Sequence, residues 1–199
     1  DAAATLPLLD HYLEGARDTL RDKKKGKTDT ESPTLSILAQ TAGAYFGEVI
    51  RRRHAAWWRL DAEPEEHRLE FHNLFLVVKP VTLMLDALTL HPMGKAPAGL
   101  SGFHRGQTVG VERRAAAAAA AGAVAGLGRL GGRQRLALAA ERRAAAVRVA
   151  ELPPVPLEEY VSPSTRLEVL DIVVDAVRAY QMSQGIPVQE LEPGDYLDG

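Results

Sequence analysis

Ala39, Gly43 and Gly47 stand four residues apart inside a segment whose apolar residues recur at helical spacing: Leu35, Leu38, Ala42, Tyr45, Phe46, Val49 and Ile50. That spacing puts the three small residues along one edge of an apolar stripe. Glycine inside a helix costs about 1 kcal/mol relative to alanine. Two of them on one edge therefore predict that another element approaches this helix at backbone distance. Ser32 and Pro33 read as its N-cap and first helical position, and Arg51, Arg52 and Arg53 end it where cations suit the helix dipole. Glu48 lies opposite the stripe, within one turn of Arg51 and Arg52, where ion pairing is expected.

The residues after this helix set the fold class. Trp57 to Leu60 reads as a strand, "DAEPEEH" as a connection, and Arg68 to Phe71 as an alternating strand. Leu74 to Val78 is a continuous apolar run, expected to be a strand buried on both faces or the end of the same long strand. Pro80 opens a helix in which Val81, Met84, Leu85 and Leu88 share a face. Nearer the start of the chain, Leu9, Tyr12, Leu13, Ala16 and Leu20 make residues 7–22 an amphipathic helix. Residues 1–90 thus predict an α-α-β-β-α core. The class is α+β and helix-dominated, with a small antiparallel sheet at about residues 57–78 packed by amphipathic helices.

The remainder divides in two. Residues 91–150 combine a Gly/Pro-rich loop with an Ala/Arg-rich, low-complexity segment, helical on both sides of a glycine break at 122–132 and poor in apolar face. Residues 151–199 hold an extended proline-rich connector, a strongly amphipathic core helix over 166–184 and a short acidic tail. Thr165 and Glu168 read as a capping box, and Glu168, Asp171 and Asp175 as the helix's solvated ridge.

The net charge is −2, which gives no overall pull toward nucleic acid or membrane. Residues 111–150 carry eight arginines against two glutamates, and residues 151–199 carry ten acids against two arginines. These segments are expected to attract each other within one fold. Cysteine is absent, so thiol chemistry and disulfides play no part. No stretch reaches the roughly 18 apolar residues of a membrane span. The chain begins at Asp1 rather than at a methionine and reads as trimmed or partial; a cytoplasmic location is the default expectation.

Several motifs invite chemistry. "GLGRLGG", from Gly126, matches a dinucleotide fingerprint in form, but a helix-forming alanine run precedes it where that motif needs a strand. Glu70 and His72 share a strand face and lack a third metal ligand, while His67 and His72 face opposite ways. Ser101 and His104 sit in one glycine-rich loop without an orienting acid. Arg51 to Arg53, Arg59 and the tryptophans, or the arginines of 113–148, offer phosphate and stacking contacts for nucleic acid, though no known binding motif accompanies them. No cofactor and no metal is expected.

The block from Leu38 to Leu88, with "GAYFGEVIRRRHAAWWRL" and "LEFHNLFLVVKPVTLMLDAL", resembles a group of bacterial proteins without assigned activity, as does "PSTRLEVLDIVVDAVRAY". About half of the chain is covered. The resemblance implies the same helix–Trp–strand–strand–Pro–helix order and favours a small accessory protein over a metabolic enzyme. It supplies no catalytic residue.

The leading expectation is a non-enzymatic protein-binding or regulatory module, adaptor- or immunity-like. It acts through Glu48, Arg51, Arg52, Trp57 and Trp58, with one tryptophan inward and one exposed, through the acidic tail, or through both. A small hydrolase or ligand-binding protein using His91, Ser101 and His104 is the alternative, and a weak nucleic-acid binder a third.

Overall fold

The computed structural model describes residues 2–23, 33–89, 132–153, 155–188, 190–192 and 195. Helix α1 spans Leu6–Lys23 after a 3-10 turn, Ala2–Thr5, and α2 spans Pro33–Arg53. Helix α1 buries Leu6 and Leu13 but leaves Tyr12 exposed, so its apolar stripe is narrower than the spacing suggests. Tyr45 of α2 is likewise exposed, and its hydroxyl is hydrogen-bonded to Thr5 Oγ1 at the end of the 3-10 turn.

The small-residue edge of α2 does what its spacing predicts. Helix α3, Pro80–Thr89, packs directly on it. A Cβ on Gly43 would lie 2.6 Å from Val81 Cα and 2.8 Å from its backbone nitrogen. One on Gly47 would lie 2.2 and 2.3 Å from two ring carbons of Trp58. The glycines are therefore where α3 and the first strand come to rest.

That strand, β1 (Ala56–Arg59), pairs antiparallel with β2 (Arg68–Phe71), in a register that sets Trp57 opposite Glu70 and Trp58 opposite Leu69. The sheet has a third strand that the expected hairpin lacks. Strand β3, Val77–Val78, pairs with β2 through Leu69↔Val78 and Glu70↔Val77, giving the order β1-β2-β3. The apolar run from Leu74 is thus neither one strand nor an extension of β2. Its first residues form a tight turn closed by Leu76 N–H to Leu74 O at 2.7 Å. They are apolar because Leu74, Phe75 and Leu76 face Val173, Val174 and Val177 of the last helix across a small cavity.

Helix α4, Gly132–Ala150, packs along α6, Pro163–Ser183; among its described side chains Glu141, Ala145 and Val149, four apart, are buried. The one-turn helix α5, Leu157–Tyr160, lies where the sequence reads as an extended connector. Helix α6 starts earlier than the capping box predicts. Ser162 is the N-cap, its Oγ accepting from Thr165 N–H at 3.2 Å, with Pro163 in the first turn; Glu168 is exposed. The helix ends with Gly185 at φ 64, and Ile186 N–H reaches back to Gln181 O at 2.9 Å, a Schellman closure. The tail then returns to the sheet: Leu191 is buried and its N–H donates to His72 O at 2.6 Å.

One hydrophobic cluster joins all the helices longer than one turn to the sheet. Among the charged groups buried with it are Asp86 of α3 and Arg166 of α6, which are 2% and 8% exposed. Burial pushes the Asp86 carboxyl up to about 6, against the opposing pull of Arg166. Because the folded chain holds this proton more tightly than the unfolded one, stability is lost as the carboxyl ionises. Compared with Asp86→Asn, the wild type is expected to match it near pH 4 and to fall behind as pH rises to about 6, levelling off above that. Urea denaturation midpoints across that window test this, and parallel curves for the two proteins would refute it.

Candidate interaction surface

The end of α2 and the start of β1 carry all five residues that the sequence singles out, but the structure distributes them over three surroundings. Glu48, Arg51 and Arg52 form an exposed, internally paired cluster. Arg51 Nε and Nη2 donate to Glu48 Oε2 and Oε1 at 2.8 and 2.7 Å. Arg52 Nε donates to the same Oε1 at 2.9 Å. Hydrogen bonds from these two arginines hold the Glu48 carboxyl at about 2, and Glu48 in turn raises the Arg51 guanidinium.

Trp58 belongs to the core side. Its ring lies on Gly47 and packs against the buried cluster. Strand alternation puts Trp57 on the other face, together with Arg59, Arg68 and Glu70. There Trp57 Nε1–H donates to Glu70 Oε2 at 2.8 Å, and Arg68 Nε donates to Oε1 at 2.8 Å. The indole also meets the His72 ring, centroids 4.4 Å apart. Glu70 is fully buried in this arrangement. Both tryptophans are half-buried, so the expectation of one exposed tryptophan is overturned. Trp58 is retained by the glycine it covers, and Trp57 by its hydrogen bond and the ring beside it.

Arg53 and His54 turn the other way, toward α6. Arg53 Nε and Nη2 grip Asp171 Oδ1 and Oδ2, each at 2.8 Å, and His54 Nε2 meets Oδ1 at 2.8 Å. Asp171 is therefore not part of a solvated ridge; it ties α6 to the end of α2, while Glu168 and Asp175 stay exposed. Burial lowers the His54 pKa, opposed by Asp171. Replacing Asp171 with asparagine is expected to cost about 1 kcal/mol, the range of a partly exposed paired carboxylate. It should also lower the His54 pKa further, followed as the ring-proton shift in an NMR titration. An unchanged His54 titration would refute the tie.

Glu70, Arg68 and Asp171 are the polar groups that sequence reasoning left out of the surface. Register was the missing signal for Glu70: only the pairing of Trp57 with Glu70 brings indole and carboxylate together. Asp171 gave no local signal, since its partners lie 117 and 118 residues away. Glu70 and His72 do share a face, and among the described residues no group of three His, Asp or Glu is placed to hold a metal ion. Among them, too, no helix is long and apolar enough to cross a membrane. His91, Ser101, His104 and residues 126–131 of the glycine motif lie outside the described residues.

The arrangement defines an α+β domain that presents a braced aromatic residue on the polar face of an edge strand. No family model, curated protein or solved structure matches the chain.

Proposed function

We propose that this chain is a non-enzymatic protein-binding module, adaptor- or immunity-like in role, as suits the bacterial proteins its central block resembles. The observation that carries this is the seating of Trp57. It lies on an edge strand, on the face that also takes Arg59 and Arg68, and Glu70 fixes its orientation before any partner arrives. A held tryptophan flanked by arginines suits an interface anchor, because little side-chain freedom remains to be lost on binding.

The arginine run argues against nucleic acid as the partner. Arg51 and Arg52 share Glu48, and Arg53 is held by Asp171, so each of the three already faces a carboxylate. Phosphate binding draws its strength from uncompensated charge and counterion release, which paired arginines supply weakly.

Native mass spectrometry of the protein captured from its source lysate tests this, alongside a Trp57→Ala, Arg59→Ala double variant checked for folding by circular dichroism. A stoichiometric second protein retained by the wild type and lost by the variant is the expected result. A bare chain, or a complex dissolved by nuclease, would overturn it.

A further inference from the structure

The helices pack on one face of the sheet, where Trp58 and Leu69 join the hydrophobic cluster. The opposite face carries Trp57, Arg59, Arg68, Glu70 and His72. It is shielded as well: Glu70 is 0% exposed and the Arg68 side chain 18%. The outer face of an antiparallel sheet ordinarily leaves such a carboxylate in water.

The C-terminal tail comes to the rim of this face. After the helix closes at Gly185 the chain runs outside helix and strand, and Leu191 donates its N–H to His72 O at 2.6 Å. The ring of the same His72 lies against the Trp57 indole. Leu191 is 5% exposed, yet among the described residues it alone of the buried apolar side chains lies outside the hydrophobic cluster. Something other than that core buries it. Glu190 and Glu192 on either side are exposed, the alternation of an extended segment with its leucine turned in. A turn then closes the segment: Asp195 N–H donates to Glu192 O at 2.9 Å, and Glu192 N–H to Asp195 Oδ2 at 2.7 Å.

We propose, resting on the assignment of Trp57 as an interface anchor, that this tail is the resident occupant of the Trp57 face and that the partner must displace it. The partner segment then shares the tail's chemistry: extended, acidic and carrying one leucine. From Ile186 to Gly199 the chain holds four acids and no basic residue. On the face, Arg59 and Arg68 outnumber Glu70, so acidic segments are favoured over basic ones. The contact at Leu191 is small, a main-chain hydrogen bond and a leucine, and a segment with more contacts outcompetes it. Tethering compensates for that weakness, because a segment on the same chain acts at an effective concentration on the order of millimolar.

A synthetic peptide of residues 187–199, added in trans to the full-length protein, tests this by isothermal titration calorimetry. Wild type should bind it at least about tenfold more weakly than Leu191→Pro, which lacks both the N–H and the leucine. Adding Trp57→Ala to Leu191→Pro should abolish the binding, and a peptide with Leu191→Lys should not bind. Circular dichroism checks that each variant is folded. Leu191→Ala, which keeps the N–H, gives a second readout by NMR: the Trp57 indole N–H resonance should move and that of Trp58 should stay. Equal peptide binding by wild type and folded Leu191→Pro, binding that survives Trp57→Ala, or an unmoved Trp57 signal would overturn the proposal. None of these measurements uses a captured partner, so their failure removes the tail as occupant, whereas a bare chain from the source lysate overturns the anchor itself.

Discussion

Replacing Glu70 with leucine is expected to destabilise the chain by about 3 kcal/mol, the low end of what breaking a buried ion pair costs. The carboxylate is 0% exposed and accepts from both Trp57 Nε1 and Arg68 Nε. Its removal takes an acceptor from an indole and a guanidinium that are themselves largely shielded, and the desolvation cost of those donors stays behind. Urea denaturation followed by far-UV circular dichroism reads the loss. A red shift in tryptophan emission should accompany it as the Trp57 ring loosens. The double replacement Arg68→Met with Glu70→Leu should recover much of the loss, because an apolar pair of similar volume leaves no stranded charge. A single-variant cost below about 1 kcal/mol would mean that the bracing of Trp57 is incidental. The anchor assigned to this tryptophan would then lose its preorganisation.

The second large effect is expected at Gly43. On helix propensity alone, alanine here should stabilise by about 1 kcal/mol. The structure reverses the sign. The new methyl would meet the Val81 backbone at 2.6 and 2.8 Å, so α2 and α3 must move apart and every contact along their interface loosens. A net cost of about 2 kcal/mol is expected, overpacking outweighing propensity. The contrast with Gly47 sharpens the test. There the clash is with the outer ring carbons of Trp58, a side chain that a second mutation can shorten. Trp58→Leu should therefore relieve Gly47→Ala in a double-mutant cycle, while Val81→Ala should leave the cost of Gly43→Ala nearly untouched. Thermal denaturation of the set is sufficient, and a stabilised Gly43→Ala would refute the close approach.

These two positions differ in how far the amino-acid order reveals them. The glycine edge is legible because Gly43 and Gly47 stand four apart on an apolar stripe; Gly15 of α1, with nothing within 4 Å, shows that a lone helical glycine signals no close approach. The helices of residues 6–23, 33–53 and 80–89 obey the same local rules of apolar period and proline in the first turn, and the helix of 33–53 adds its arginines in the last. The amphipathic helix near the C-terminus is also legible. Its start is less so, since Ser162 and Thr165 both offer a capping side chain and only the chain's path chooses between them.

The apolar run at 74–78 marks the limit of periodicity. Continuous hydrophobicity reports burial without reporting shape, so a turn buried under α4 and α6 reads the same as a buried strand. Strand β3 has two residues, too few to generate any alternation. The buried edge of α4 is hidden for a related reason: Ala145 is fully buried but, as an alanine, adds little apolar signal to the sequence.

The candidate surface divides along the same line. Within α2, Glu48, Arg51 and Arg52 find each other through helical spacing alone, and the sequence determines that cluster. Trp57 and Trp58 are adjacent in sequence but face opposite sides, and which one enters the core depended on where Gly47 lay beneath the strand. The sequence by itself determined the long helices, the pleat and the local ion pairs, because those interactions close within a turn or a strand step. Only the tertiary structure decided that Asp171 serves α2, that Glu70 braces Trp57, and that Arg166 and Asp86 are both buried in the interior. Each of these joins groups whose separation in the chain leaves no periodic trace, and each depends on the register and approach of elements already formed.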